Sequence, residues 1–272
     1  MTEDGSTSSH YVYDVKINCP GDTRWTGETY SAIYVSVPKN AARGSLGIQV
    51  NFMGAGVRST ETYLSKKSDY ICVAVNGHSI PSKMGAEYYS ELYKTTLKSY
   101  AWSSDSSVDP SEVYYSYMVM RDLQALRWVK SYFGADGEGL WDESTLNVAG
   151  MSEGGYQALF TAALDDDVTF CTANIPAMCD KQGVNNGRKK SYGSSLPQML
   201  YYDTCFFARR IKCPVKIMVG LGDVTCVPSG ITAMYNELSC DKDIVYVQNM
   251  GHTSPDSKKI QQRYSFGDVA SH

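Results

Sequence analysis

The serine whose surroundings most favour nucleophilic chemistry is Ser152, which stands between Gly150 and Gly154 in a Gly-x-Ser-x-Gly pattern. An apolar run, 146–149, precedes the pattern, and a run compatible with a helix, 155–164, follows it. In this strand–turn–helix setting the turn is so sharp that side chains at the glycine positions would collide with the strand and the helix. The serine oxygen then stands at the positive end of a helix. The pattern predicts a nucleophile, and the alternative is an ordinary serine in a glycine-rich turn.

A serine hydroxyl is a weak nucleophile and needs a general base. The chain has four histidines, which are His10, His78, His252 and His272. His252 follows the apolar run 244–247, and enzymes with this motif carry the base in a loop after the last strand. His10 and His272 lie in terminal segments, which are usually mobile. We interpret His78 as a structural, hydrogen-bonded histidine and predict His252 as the base, with a surface loop histidine as the alternative.

The third catalytic member must be an acid that lies between the nucleophile and the base in chain order. Asp223 follows the apolar run 215–219. It would hold the imidazole in the right tautomer and stabilise the imidazolium. The acids at 241 and 243 precede the last strand and those at 165–167 follow a helix, which puts both groups at the wrong end of a sheet. Asp223 is therefore the predicted acid, with an aspartate in an ordinary turn as the alternative.

Two backbone N–H groups are predicted to stabilise the oxyanion that forms during acyl transfer. One belongs to Glu153, the residue after the nucleophile, and the other to Ala55 in the loop 53–57. That loop follows the strand-like run 47–52, and its small residues let the backbone approach a substrate oxygen closely. A simple glycine-rich turn is the alternative interpretation of this loop.

The elements that must position these residues follow an alternating order of strand-like and helix-like runs. That order favours βαβ units and a parallel sheet. Helices are predicted over 122–133 and from just after Ser152 through 164. Strands are predicted over 47–52, 70–75, 146–149, 170–175, 215–219 and 244–247, with a further strand over 30–37 near an edge. The predicted fold class is α/β, a doubly wound and mostly parallel sheet with helices on both faces.

Length and composition predict one large domain that spans all 272 residues, since 43% of them are hydrophobic and 20% are charged. A net charge of −4 without a basic cluster argues against nucleic acid as a partner. No apolar run is long enough for a membrane helix, and the first ten residues hold no apolar signal segment. We therefore expect a soluble protein, either cytoplasmic or exported with its leader removed.

The remaining expectations concern the cysteines and one long segment. The eight cysteines form no CxxC pair and no cluster with histidine, so neither a metal site nor another cofactor is expected. Their thiols should be mostly free and buried. The segment 180–203 is rich in glycine, asparagine and lysine, and we predict that it is part of a lid, because long segments of this kind often pass over an active site.

Three segments of the chain resemble the acetyl xylan esterase / cephalosporin C deacetylase family of carbohydrate esterases. They are the elbow with its flanks (146–180), the acid loop (209–230) and the Asn-Met-Gly-His loop (249–252). The run Gly-Asp-x-x-Cys-x-Pro at 222–228 is the most distinctive of their motifs, and the resemblance extends over about 47–252.

The resemblance implies an α/β-hydrolase fold and hydrolysis of acetyl esters on carbohydrates such as xylo-oligosaccharides. It matches Ser152, Asp223 and His252 to the family's triad, and Ala55 and Glu153 to its oxyanion donors. It also implies the possibility of a homo-oligomer, since family members often form rings. The chain departs from the family at Glu153, where glutamine is usual, and at 53–55, where Met-Gly-Ala replaces His-Gly-Tyr.

Two other functions stay open at this point. The first is a serine peptidase of the prolyl-oligopeptidase type, which shares the order of the triad but usually carries a further large domain. The second is a non-catalytic binding protein on a hydrolase scaffold, which the presence of all three triad residues weighs against.

Overall fold

The computed structural model describes residues 1–19, 30–100, 105–190, 192–193, 196–253 and 262–267. They form two compact units. The first unit comprises Met1–Tyr100, Tyr114–Val148 and Asp167–Thr169, and the second comprises Ala101–Val113, Ala149–Asp166 and Phe170–His272. Within the described ranges, no helix has the length and apolar character that crossing a membrane requires. The single domain over 1–272 stays a prediction.

Five strands form the core of the first unit, in the spatial order β1-β2-β3-β5-β4. The first three are antiparallel to their neighbours, and β4 and β5 are parallel. Both β4 and β5 are rich in valine and isoleucine and largely buried, as strands that are covered on both faces should be. The strands are β1 (Thr2–Glu3), β2 (His10–Asn18), β3 (Tyr30–Pro38), β4 (Leu46–Phe52) and β5 (Tyr70–Asn76).

The strand predicted at 30–37 is present as β3, the third strand from the β1 edge of the sheet, so it lies near an edge as predicted although it is not an edge strand itself. Strand β3 pairs with β2 on one side and with β5 on the other. Eight of its nine residues are buried. The neighbour that removes β3 from the edge is β2, a strand of mixed polar and apolar residues that the sequence pattern did not identify.

Two helices and most of a sixth strand complete the first unit. Helix α1 spans Ala86–Lys94 and helix α2 spans Tyr114–Phe133. Helix α2 contains the predicted segment 122–133 and begins eight residues earlier. Strand β6 spans Trp141–Met151, and its residues from Ala149 onward belong to the second unit.

The second unit alternates strands and helices in the way that the sequence predicts. Strands β7, β8 and β9 are parallel, and β10 is antiparallel to β9. The predicted strands at 170–175, 215–219 and 244–247 and the helix after Ser152 are confirmed to within two residues at each end. The elements are β7 (Phe170–Asn174), β8 (Val215–Gly220), β9 (Lys242–Val247), β10 (Arg263–Gly267), α3 (Glu153–Leu164), α4 (Thr204–Phe207) and α5 (Pro228–Glu237).

The cysteines follow the expectation from the sequence. All eight lie in the described residues as free thiols, and six of them are buried. They pack as small apolar side chains.

Candidate active site

The turn between β6 and α3 holds Ser152 in an uncommon backbone conformation. Its φ is +59° and its ψ is −120°, a region that residues with a side chain rarely occupy. The conformation is fixed because the Ser152 N–H donates to the Asn174 carbonyl at 2.9 Å and the Ala177 N–H donates to the Ser152 carbonyl at 2.9 Å. A Cβ atom at Gly150 would lie 2.1 Å from the Gly154 carbonyl oxygen, so the turn closes only with glycine there. This geometry is that of a nucleophile elbow.

The structure brings Ser152, His252 and Asp223 together in one hydrogen-bonded series. The Ser152 Oγ lies 2.9 Å from His252 Nε2, and His252 Nδ1 lies 2.8 Å from Asp223 Oδ2. A carboxylate only accepts hydrogen bonds, so Nδ1 carries the proton and Nε2 is left to accept the serine proton. Ser152 and Asp223 are buried, and the His252 side chain is 28% exposed.

The loop after β8 orients the Asp223 carboxylate. Its Oδ1 accepts the backbone N–H groups of Thr225 at 2.8 Å and Cys226 at 2.9 Å, which leaves Oδ2 for the histidine. The Gly222 N–H donates to the Met250 carbonyl at 2.9 Å, so this loop is bonded to the one that carries His252. Backbone contacts therefore hold Asp223 and His252 in place, in addition to the hydrogen bond between their side chains.

Cys226 also belongs to this site, although its spacing in the sequence gave it no chemical role. It is fully buried, and its thiol interacts with the Ser152 side chain. Burial raises the pKa of this thiol well above its usual range, and the nearby Asp223 charge adds to that effect. Cys226 is therefore a neutral thiol beside Ser152.

The donor atoms of Asp223, Cys226 and His252 lie within 4.8 Å of one another, a grouping that could hold a metal ion. A metal would have to displace the proton of the buried thiol and break the bond between Asp223 and His252. The chemistry of these donors therefore favours hydrogen bonding over ligation. The expectation that the protein uses no metal stays a prediction.

The segment 180–203 lies in the same unit as Ser152, Asp223 and His252, and its residues 191, 194 and 195 lie outside the described residues. The segment is bonded to the acid loop, because the Tyr192 N–H donates to the Thr225 carbonyl at 3.0 Å. It contains two 3₁₀ turns, Gly183–Asn186 and Pro197–Tyr202. Its role as a lid stays a prediction.

In the first unit, the loop after β4 is anchored by its own Arg58 and by side chains from other segments. The Gly56 N–H donates to the Tyr100 hydroxyl at 3.3 Å, and His78 Nε2 lies 3.3 Å from the Gly56 carbonyl oxygen. Arg58 donates to the Ala55 carbonyl at 3.1 Å. The assignment of the Ala55 N–H as an oxyanion donor stays a prediction. So does that of the Glu153 N–H, which lies at the amino end of α3 in the second unit.

The interpretation of His78 as a structural histidine is confirmed. Its side chain is buried, and its Nδ1 is hydrogen-bonded to the Tyr114 hydroxyl. Burial first, and then the charge of Arg121, lower the pKa of His78 to about 3. His78 is therefore a neutral side chain that is held at both ring nitrogens.

The expectation that His10 lies in a mobile terminal segment is wrong. His10 begins strand β2, is buried, and has its Nε2 at 3.1 Å from the Lys67 carbonyl oxygen. The strand pairing of the amino-terminal segment, which the sequence pattern missed, explains the difference. His272 lies outside the described residues.

Several solved structures share the fold of this chain. An acetyl xylan esterase from Paenibacillus sp. R4 matches with a TM-score of 0.71 at 21% identity, over 93% of this chain and 82% of that chain. Acetyl xylan esterase 1 from Thermoanaerobacterium sp. JW/SL YS485 matches with a TM-score of 0.71 at 18% identity, over 95% and 83%. A cold-adapted esterase from an Arctic intertidal metagenomic library matches with a TM-score of 0.55 at 12% identity, over 94% and 92%. The fold is that of an α/β-hydrolase, as predicted.

Sequence comparisons show which proteins the chain is similar to. The model of the acetyl xylan esterase family (AXE1) matches residues 184–268, which include Asp223 and His252. The acetyl esterase Axe7A of Xylanibacter ruminicola is 28% identical in an alignment of 227 residues that covers 77% of this chain. The chain spans about half the length of that relative, 49%. The likeness to acetyl xylan esterases that the motifs indicated is therefore confirmed.

Proposed function

We propose that the chain is a serine carboxylic-ester hydrolase that removes acetyl groups from carbohydrates such as acetylated xylo-oligosaccharides. The observation that carries the proposal is the hydrogen-bonded series from Ser152 through His252 to Asp223. It supplies a nucleophile, a base with a free acceptor nitrogen, and an acid that orients the base. The strained elbow around Ser152 supports the same conclusion.

In the proposed acylation step, the Ser152 oxygen attacks the ester carbonyl carbon while its proton passes to His252 Nε2. The carbonyl electron pair moves onto oxygen, and the N–H groups of Glu153 and Ala55 are proposed to stabilise that oxyanion. The oxyanion then collapses, the bond to the alkoxy group breaks, and protonated His252 gives its proton to the leaving alcohol. Asp223 stabilises the imidazolium between these two transfers.

In the proposed deacylation step, water replaces the alcohol. His252 takes a proton from the water as its oxygen attacks the acyl carbon, and the second oxyanion collapses with cleavage of the bond to Ser152 Oγ. Protonated His252 returns its proton to Ser152 Oγ, and the acetic acid that leaves ionises to acetate in solution. The bond between Asp223 and His252 Nδ1 keeps Nε2 available for each transfer. The cycle needs protein groups and water only.

The acetyl group and the carbohydrate come from the relatives. The curated relative is an acetyl esterase, and two of the similar structures are acetyl xylan esterases. At Glu153 and at 53–55 the chain departs from the residues that are usual in the family. Experiment must therefore identify the alcohol portion of the substrate.

Acetate release from a small aryl acetate and from acetylated xylo-oligosaccharide tests the proposal, with Ser152→Ala as the comparison. We expect both activities in the wild type and neither in the variant, with unchanged thermal unfolding of the variant. Activity that persists in Ser152→Ala would overturn the serine mechanism. Hydrolysis of the aryl ester alone would overturn the carbohydrate portion.

Labelling with a fluorophosphonate probe separates the proposal from its alternatives. A wild-type protein that labels at Ser152 and releases acetate fits the proposal. Labelling without acetate release would direct the search to other esters or to amides, including peptides. A folded protein that does not label at Ser152 would favour a non-catalytic binding protein.

A further inference from the structure

A buried lysine lies in the segment 180–203, close to the proposed triad in the same unit. Lys181 is only 3% exposed, and its Nζ donates a hydrogen bond to the Tyr192 carbonyl oxygen. A buried ammonium group is costly unless partners compensate for the water it has lost. The burial of this amine, and the contact that it makes, therefore need an explanation.

The main chain beneath the lysine is fixed by one carboxylate. Asp203 accepts the backbone N–H of Lys181 at 2.5 Å through Oδ2 and that of Asp180 at 3.0 Å through Oδ1. The same Oδ1 accepts the Cys205 N–H at 3.0 Å at the start of α4. Asp203 is itself buried, so the two ends of the segment are joined below the surface. The lysine side chain therefore extends from a rigid base.

From the lysine, a continuous series of hydrogen bonds leads to the proposed catalytic acid. Lys181 Nζ holds the Tyr192 carbonyl, and the Tyr192 N–H donates to the Thr225 carbonyl at 3.0 Å. The Thr225 N–H in turn donates to Asp223 Oδ1 at 2.8 Å. The other carboxylate oxygen of Asp223 faces His252 Nδ1 at 2.8 Å. Movement of Tyr192 would therefore be transmitted to the carboxylate that orients the base.

We propose that Lys181 is a positioning residue for Asp223, because it clamps the Tyr192 peptide against the acid loop and so keeps the carboxylate aimed at His252. This inference rests on the proposed function, since the role of Asp223 does. In this proposal, the contacts of Lys181 and Tyr192 in the segment 180–203 hold the acid loop in place.

The charged groups around Lys181 define its electrostatic setting. Burial lowers the pKa of Lys181 to about 8, the Asp203 carboxylate opposes that shift, and the Lys190 charge adds to it, while Cys179 and Cys226 face the lysine as neutral thiols. A neutral amine is a weaker donor than an ammonium group. The clamp should therefore weaken as the pH rises through about 8, and the rate should fall with it.

The test compares Lys181→Met, which keeps the length of the side chain without a donor, with Lys181→Arg, which keeps a charged donor. Lys189→Met, at an exposed lysine of the same segment, is the matched control. Complete loss of the right histidine tautomer costs ~10⁴ in rate, and a loosened acid should cost part of that. We expect kcat for the aryl acetate to fall ~10–100-fold in Lys181→Met with KM nearly unchanged. Lys181→Arg should stay within ~5-fold of the wild type, and the control should be unchanged.

Two further measurements separate positioning from a merely structural role. The decline of kcat at alkaline pH should be present in the wild type and absent from Lys181→Arg, since a guanidinium stays protonated throughout that range. The downfield proton resonance of His252 Nδ1, which reports its hydrogen bond to Asp223, should be sharp in the wild type and lost or broadened in Lys181→Met.

A folded Lys181→Met protein with wild-type kcat and a sharp His252 resonance would overturn the inference. If Lys181→Met fails to fold, the pH profiles of kcat for the wild type and Lys181→Arg still test the inference. The same alkaline decline of kcat in both proteins would refute it. If the wild type hydrolyses no ester, the proposed function fails, and the His252 resonance alone still tests the role of Lys181.

Discussion

The buried histidine of the first unit should make the protein sensitive to mild acid. His78 is 3% exposed, with Nε2 facing the Gly56 carbonyl and Nδ1 facing the Tyr114 hydroxyl. A carbonyl can only accept, so Nε2 carries the single proton of the neutral ring and Nδ1 accepts from Tyr114. A second proton on Nδ1 would remove that acceptor and place a buried charge near Arg121.

The size of the effect follows from the difference between the folded and unfolded pKa of His78. Burial and Arg121 lower the pKa from 6.5 to about 3 in the folded protein. Below pH 6.5 the unfolded chain therefore takes up a proton that the folded chain excludes, so stability falls as the pH drops from 6.5 towards 3. Each pH unit in that window costs about 1.4 kcal/mol, which gives about 2 kcal/mol at pH 5.

Chemical unfolding of the wild type and His78→Gln at pH 7 and pH 5 measures this effect. Glutamine does not titrate, and its amide N–H can still reach the Gly56 carbonyl. We expect the wild type to lose about 2 kcal/mol more than the variant between the two pH values. Equal losses in the two proteins would show that His78 takes up its proton in the folded state, and the reasoning from burial would then be wrong.

Two substitutions test the geometry of the proposed triad and its elbow. Asp223→Asn should lower kcat by ~10⁴ with folding intact, because an amide no longer selects the tautomer of His252. Steady-state kinetics with an aryl acetate measure the loss, and a loss under ~10-fold would contradict the prediction. Gly150→Ala places a Cβ 2.1 Å from the Gly154 carbonyl and should lower the unfolding temperature and abolish fluorophosphonate labelling. Gly85→Ala is its control, since Gly85 has a φ of −61° and no atom within 4 Å of the added Cβ. Equal behaviour of the two alanine variants would contradict the steric argument.

The sequence was sufficient for those features that are encoded locally. Strands such as β5 and β8 are short, mainly apolar runs, and such runs predict buried strands. The nucleophile elbow is encoded in a single pentapeptide. The order of Ser152, Asp223 and His252 then followed from which loops come after which strands.

The features that the sequence did not predict depend on partners far away in the chain. Strand β10 is exposed at all five residues and exists because it pairs with β9. The first turns of helix α2 are rich in tyrosine and carry no strong helical pattern, and they become helical because Tyr114, Tyr115 and Met118 are buried. Such elements owe their conformation to packing, which outweighs weak local preference.

The roles of Cys226 and Lys181 could not be predicted from the sequence for the same reason. Cys226 resembles any small apolar residue of a loop, and Lys181 resembles the other lysines of a polar segment. Their significance depends on burial and on contacts with Ser152 and with Tyr192, which lie 74 and 11 positions away in the chain. Residue type and spacing cannot reveal contacts of this kind, because no regular element links the partners.

The loops that carry the acid and the base meet through their main chains, and this explains why glycines recur beside both residues. A Cβ atom at Gly220 would lie 2.6 Å from the Met250 carbonyl oxygen, and the Gly222 N–H donates to that same oxygen at 2.9 Å. A side chain at Gly220 would push the two loops apart and lengthen the 2.8 Å bond between Asp223 and His252. Gly220 is therefore needed for the close approach of the two loops, and the hydrogen bond between Asp223 and His252 depends on that approach.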